Sequence, residues 1–304
     1  MTALGHRLPG AAFRLPFLPL AAALTLSGCG SEPEAADDLE AGTPAAVATS
    51  EQSLAIRLWA DGEPAFGIYV PSERERGATG PDGERLPPLY TEAGGADLAG
   101  NELYDYLFLN LEGSYDPAAV TAIARGLEQG GGADKTLLVR IPPISDAGEE
   151  VTRQRIAEIL EAGADGITLP HVRSTEEART AVSMFEELGA DVWSPSNPEG
   201  TVIAMLMIED PGALAETEQI ADVGGYSILA CGIGSLSAAL GDREAGEAGN
   251  QVVLQHAQRV GLPDMITANA DDVARRIEEG FLGLLMNGPE ADEHIRVGRT
   301  AAGR

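Results

Sequence analysis

Apolar residues recur in short runs, four to seven residues long, separated by longer stretches in which they return every three or four positions. The most apolar run, TVIAMLMI over 201–208, ends in the acidic pair Glu209-Asp210. A run with almost no polar interruption fits a strand buried on both faces, the kind found in parallel sheets covered by helices. Seven more such runs follow from the same reading, giving strand candidates at 66–70, 106–110, 137–141, 166–169, 202–208, 226–230, 265–268 and 282–286. Between them the spacing predicts helices over 118–128, 149–162, 175–188, 212–223, 250–260 and 271–279. Asp116-Pro117, Ser174 with Glu177, and Asn269 stand where helices begin. Gly163 and Gly189 stand where a left-handed residue ends one. Eight strands alternating with helices predict a (β/α)8 TIM barrel. The competing fold, a doubly wound open sheet, would need a glycine-rich phosphate loop after its first strand. PSERERG over 71–77 is not such a loop. The Gly-, Pro- and charge-rich segment 71–95 is expected to lie over the barrel mouth.

The N-terminus changes this picture. His6, Arg7 and Arg14 precede an apolar stretch over 15–26, which ends in LSGC at 26–29. A basic start, a short apolar core and small residues at a cleavage point describe an export signal, and the stretch is too short for a comfortable membrane span. LSGC resembles a bacterial lipobox, whose cysteine becomes the lipidated mature N-terminus. The expectation is therefore a signal peptide at 1–28, lipidation at Cys29, a disordered acidic tether at 29–52 and a barrel at 53–304. The protein would be exported and held at the cell envelope by its lipid alone. With Cys29 so used, Cys231 is solitary and no disulfide framework holds the fold.

Charge narrows the partners. The 304 residues carry 48 acidic and 20 basic side chains, a formal net charge of −28, and Lys135 is the single lysine. Such a surface repels nucleic-acid phosphate and anionic headgroups, so neither is an expected partner.

In a barrel, polar residues at the C-terminal strand ends converge on one cavity. That set is Asn110, Glu112, Arg140, His171, Glu209, Ser235, Asn269 and Asn287. An arginine there can grip a carboxylate bidentately, and a glutamate can offer a hard oxygen to Mg2+ or Mn2+. Satisfying solvent-exposed backbone at the strand ends would explain the asparagines, but it explains Arg140, set between Val139 and Ile141, less well.

Several of these residues sit in recognisable segments: LVRIP at 138–142, GADGITLPHVRSTEEAR at 163–179, MIE at 207–209 and GIGSLSAALG at 232–241. With GEPAFG at 62–67, their order and spacing resemble the HpcH/HpaI aldolase and citrate lyase family over roughly residues 54–288. The resemblance implies a barrel of the phosphoenolpyruvate/pyruvate-domain type, usually a homo-oligomer. It also implies a divalent metal, Mg2+ or Mn2+, and cleavage or formation of a carbon–carbon bond beside a 2-oxo acid. The family's substrate-gripping arginine falls on Arg140 and its metal glutamate on Glu209. Its second metal ligand, an aspartate, falls on Ser235, which is left as a substrate-binding candidate. Its base histidine is missing from NLEGS at 110–114, where Asn110 replaces the orienting aspartate and Glu112 survives. The catalytic candidates are thus Arg140, Glu112 and His171. Two functions follow: a lyase acting on 2-oxo acids with a rewired base, or a non-catalytic envelope lipoprotein that binds a small carboxylate.

Overall fold

The structure is a computed structural model that describes residues 51–304. The expected signal peptide and lipidated Cys29, with nearly all of the expected tether, lie outside the described residues. No described helix is long and apolar enough to cross a membrane.

Eight parallel strands form a nearly closed barrel: β1 (Ala65–Tyr69), β2 (Tyr106–Asn110), β3 (Thr136–Arg140), β4 (Gly166–Leu169), β5 (Ile203–Ile208), β6 (Ile228–Cys231), β7 (Met265–Thr267) and β8 (Gly283–Met286). They pair in the order β6-β5-β4-β3-β2-β1-β8-β7, so the seam lies between β6 and β7. Among the described residues, twelve helices surround or cap the strands. They are α1 (Leu54–Ala60), α2 (Glu92–Ala99), α3 (Pro117–Gln129), α4 (Ile144–Ala147), α5 (Glu149–Glu161) and α6 (Thr175–Glu187). The series continues with α7 (Pro211–Ala215), α8 (Thr217–Ala221), α9 (Ile233–Leu240), α10 (Arg243–Arg259), α11 (Val273–Glu279) and α12 (Ala291–Ala302).

The two-residue period of each strand sorts its side chains. Phe66, Ile68, Leu107, Leu109, Leu137, Val139, Ile167, Leu169, Leu206 and Ile208 face outward and pack with the helices. Ala65, Tyr106, Phe108, Leu138, Ile203, Met205, Met207, Ile228, Ala230, Met265 and Leu285 face inward and fill the barrel. Gly67 makes room for the Tyr106 ring, since a Cβ there would stand 2.2 Å from the ring edge. Helix α1 plugs the foot of the barrel with Ile56 and Trp59, and the Trp59 indole Nε1 donates to the Leu282 carbonyl at 2.9 Å. By the same parity, Arg140 follows Leu138 and Glu209 follows Met207, so both side chains point into the barrel at its C-terminal mouth.

All eight expected strands form, within two residues at each end. Asp116 and Ser174 cap α3 and α6 as expected, and Gly163 and Gly189 have φ of 103° and 65°. Four helical expectations need correction. The helix expected over 250–260 is α10, which already starts at Arg243, where Asp242 caps it by accepting the Ala245 N–H at 2.9 Å. The single helix expected over 212–223 is two, broken at Glu216, whose carboxylate instead accepts the Thr175 N–H and hydroxyl at 2.8 and 2.7 Å. Helix α11 starts after Asp272 rather than Asn269, and Asp272 Oδ1 accepts the Asn269 N–H. The C-terminal stretch, for which no helix was expected, is α12, which buries Ala291, Ile295 and Gly298.

Candidate active site

An ion cluster built on Arg140 sits inside the mouth of the barrel. Arg140, the last residue of β3, is buried, and its Nη2 donates to Glu209 Oε2 at 3.1 Å and Oε1 at 3.3 Å. The same nitrogen lies 2.8 Å from Glu112 Oε2. Glu209 is buried just past the end of β5, whereas Glu112, in the turn after β2, is about a quarter exposed. The Arg140 Nε is buried without a hydrogen-bond partner. A donor left unsatisfied in a buried site costs free energy.

His171 joins from the β4 end. Its Nε2 stands 3.4 Å from Glu112 Oε1 and 3.7 Å from Glu209 Oε2, and its backbone N–H donates to Glu209 Oε2 at 3.0 Å. Its φ of 51° makes it the one non-glycine residue with positive φ among the described residues. Strain of this kind persists where surrounding contacts impose it, and it concentrates at functional sites. Asn110 Oδ1 accepts the Glu112 N–H at 3.0 Å and so fixes the turn that presents Glu112. Gly232 closes the other side: a Cβ there would lie 2.3 Å from Glu209 Oε1, so only glycine fits against this carboxylate.

Beside the cluster lies a cavity of about 200 Å3. Arg140, Glu209, Tyr69 and the first turn of α9, Gly232 to Ser235, form its polar side, and Phe108, Met205, Met207 and Leu285 its apolar floor. Helix α9 begins at Gly232 with no side-chain cap, which leaves the N–H groups of its first turn open to an acceptor. Burial raises the Tyr69 phenol above its ordinary range. Arg140 opposes that rise, and Glu209 and Glu112 reinforce it, so Tyr69 stays a proton donor at neutral pH. Cys231, also at the cavity wall, is raised by burial and is no thiolate nucleophile.

The structure therefore gathers Arg140, Glu209, Ser235, Glu112 and His171 from the strand-end set. Asn269 lines a separate cavity over α9 and α10, and Asn287 is exposed. Sequence reasoning did not pick out Tyr69 or Gly232. Strand parity could have found the first, because Tyr69 ends β1 on the same face as Ala65. Nothing local signals the second.

The donor set does not fit a divalent metal. Ser235 stands where a second acidic ligand is required, and both oxygens of Glu209 already meet Arg140 Nη2. No group of three or more His, Cys, Asp or Glu side chains is arranged to hold a metal ion among the described residues.

Fold and site together define a phosphoenolpyruvate/pyruvate-domain (β/α)8 barrel with its polar cluster at the C-terminal mouth. The sequence model of the HpcH/HpaI aldolase/citrate lyase family matches residues 95–284, and the chain belongs to that family, which is typically divalent-metal dependent. The fold is shared with an HpcH/HpaI aldolase/citrate lyase family protein from Burkholderia cenocepacia J2315. That pair is 20% identical with a TM-score of 0.57, covering 82% of this chain and 97% of the other. It is shared too with an HpcH/HpaI aldolase from Desulfitobacterium hafniense DCB-2, at 19% identity and a TM-score of 0.59, covering 83% and 96%. Macrophomate synthase matches at 17% identity and 0.58, covering 82% and 88%. No curated protein shows significant sequence similarity to the chain.

Proposed function

We propose that this protein is an aldolase-type carbon–carbon lyase acting on a small 4-hydroxy-2-oxo acid. The observation that supports it best is a small cavity lined both by the buried Arg140 and by the uncapped start of α9. Two electropositive groups lining one cavity of that size suit a ligand with adjacent carboxylate and oxo oxygens. The α9 N–H groups and Ser235 take the carboxylate, and Arg140 takes the oxo oxygen.

Cleavage then needs a base at the C4 hydroxyl. His171 accepts that proton at Nδ1, with Glu112, 3.4 Å from Nε2, orienting the ring and stabilising the imidazolium. The C3–C4 bond breaks, its electron pair moves into the C2–C3 enolate, and an aldehyde leaves. The guanidinium of Arg140 stabilises the negative charge on the enolate oxygen. Return of the proton from His171 to C3 yields the 2-oxo acid. Glu209 holds Arg140 and the His171 backbone in register for these steps.

The test is pyruvate release from a panel of 4-hydroxy-2-oxo acids, with Mg2+ or Mn2+ and with chelator. Turnover that falls at least a hundredfold in Glu209→Gln and in His171→Asn is expected. Absence of turnover in every condition, with 2-oxo acid binding retained, would defeat the lyase reading. It would favour the second one, a carboxylate-binding protein whose Glu112 and Glu209 serve only to hold Arg140, as their shared contact with Nη2 permits.

We also propose that the protein is an exported lipoprotein anchored through Cys29, and that the barrel is a homo-oligomer. Release of Cys29→Ser from the membrane fraction tests the first, and light scattering of the purified protein tests the second.

A further inference from the structure

We propose that the guanidinium of Arg140 is the resident cation of this site, standing between Glu112 and Glu209 where a divalent metal would have to stand, so that the cavity takes its 2-oxo acid ligand with no metal bound. The nature of the ligand rests on the functional reading above; the cation assignment does not.

The geometry carries it. One nitrogen, Nη2, is 2.8 Å from the Glu112 carboxylate and 3.1 Å from that of Glu209, so it bridges two acids that arrive from different strand ends. A hard divalent ion needs anionic oxygens at roughly 2.0–2.6 Å, and these two carboxylates could supply them only if Nη2 withdrew. Withdrawal is opposed by burial. Arg140 and Glu209 are 8% and 2% exposed, and separating them would strand a charge on each side. Guanidinium also cannot lose its proton, so the positive charge is permanent, as a metal's would be.

The remaining contacts agree. Glu209 Oε2 is further held by the His171 N–H, and a Cβ at Gly232 would meet the same carboxylate. Ser235 itself is neutral.

Two titrations of the full-length protein test this: Mn2+ alone, followed by the electron paramagnetic resonance of the free ion, and pyruvate or oxalate by calorimetry with Mn2+ or with EDTA. Wild type is expected to bind no Mn2+ below millimolar, and to bind oxalate within twofold of the same affinity in both conditions. Arg140→Met frees both carboxylates and is expected to gain Mn2+ affinity at least tenfold. Arg140→Lys keeps a cation in place and is expected to exclude Mn2+ as wild type does. One Mn2+ per wild-type chain at micromolar affinity, lost in Glu209→Gln, with oxalate binding abolished by EDTA, would overturn the proposal. If neither pyruvate nor oxalate binds in any condition while Mn2+ exclusion and its reversal in Arg140→Met hold, the functional reading fails and the cation assignment stands.

Discussion

The barrel has an ion cluster at each end, and the two are composed in opposite ways. At the foot, Asp105 sits before β2 with both oxygens fully used. Oδ2 accepts the Phe66 N–H at 2.8 Å and Arg304 Nη1 at 3.0 Å, while Oδ1 accepts Arg299 Nη2 at 2.6 Å and Arg304 Nη2 at 3.1 Å. Both guanidinium groups also lie over the Phe66 ring, so α12 is clamped to the first strand. At the mouth the ratio is reversed, with two carboxylates on one guanidinium. There a donor is left over, a strained His171 closes the group, and a cavity adjoins it. Hydrogen bonds are fully satisfied at Asp105, where α12 is held to the barrel, and left open at Arg140, beside the cavity. That matches the division of α/β barrels into a stability face and a chemistry face.

The comparison can be broken by substitution. Asp105→Ala strips the buried Phe66 N–H and two partly exposed arginines of their shared buried acid and should cost about 3–5 kcal/mol of stability, seen in denaturant unfolding. The 2-oxo acid affinity of whatever protein remains folded should be unchanged. A parallel loss of ligand affinity would show that the two ends are not independent.

Asp165, also at the foot, gives the next largest effect. Burial raises its carboxyl from 3.8 to about 6, despite the Leu137 N–H it accepts at 2.7 Å. Because the folded state holds this proton more tightly than the unfolded chain, its contribution to stability falls as pH rises from about 4 to 6. Asp165→Asn should flatten that dependence and raise stability at pH 7 by as much as about 2–3 kcal/mol. Unchanged pH dependence in the variant would show that another group governs this range.

The smallest effect on stability belongs to the mouth. His171→Asn keeps a residue tolerant of positive φ and should shift stability by less than about 0.5 kcal/mol. The loss should instead appear in turnover. A large stability change there would make His171 a structural residue.

Much of this was legible in the chain. Strands buried on both faces announce themselves as apolar runs, and the period of two assigns Arg140 and Glu209 to the interior once Leu138 and Met207 are there. The helix starts at Asp116 and Ser174 were legible because a cap is a local hydrogen bond. The break at Glu216 was not, because its cause is the N-terminus of α6, some forty residues away. Helix α12 was missed for a similar reason. Gly298 weakens it locally, yet a Cβ there would meet the Phe66 ring at 2.5 Å, so the glycine serves a contact with β1.

Sequence by itself determined the eightfold alternation, the inward face of each strand and the identity of the charged groups at the mouth, since all three depend on nearest neighbours and parity. Only the tertiary structure decided how those charges pair. The choice between a metal and a guanidinium bridging Glu112 and Glu209 depends on where Nη2 lies once β2, β3 and β5 are side by side. That distance is set by the packing of the whole barrel.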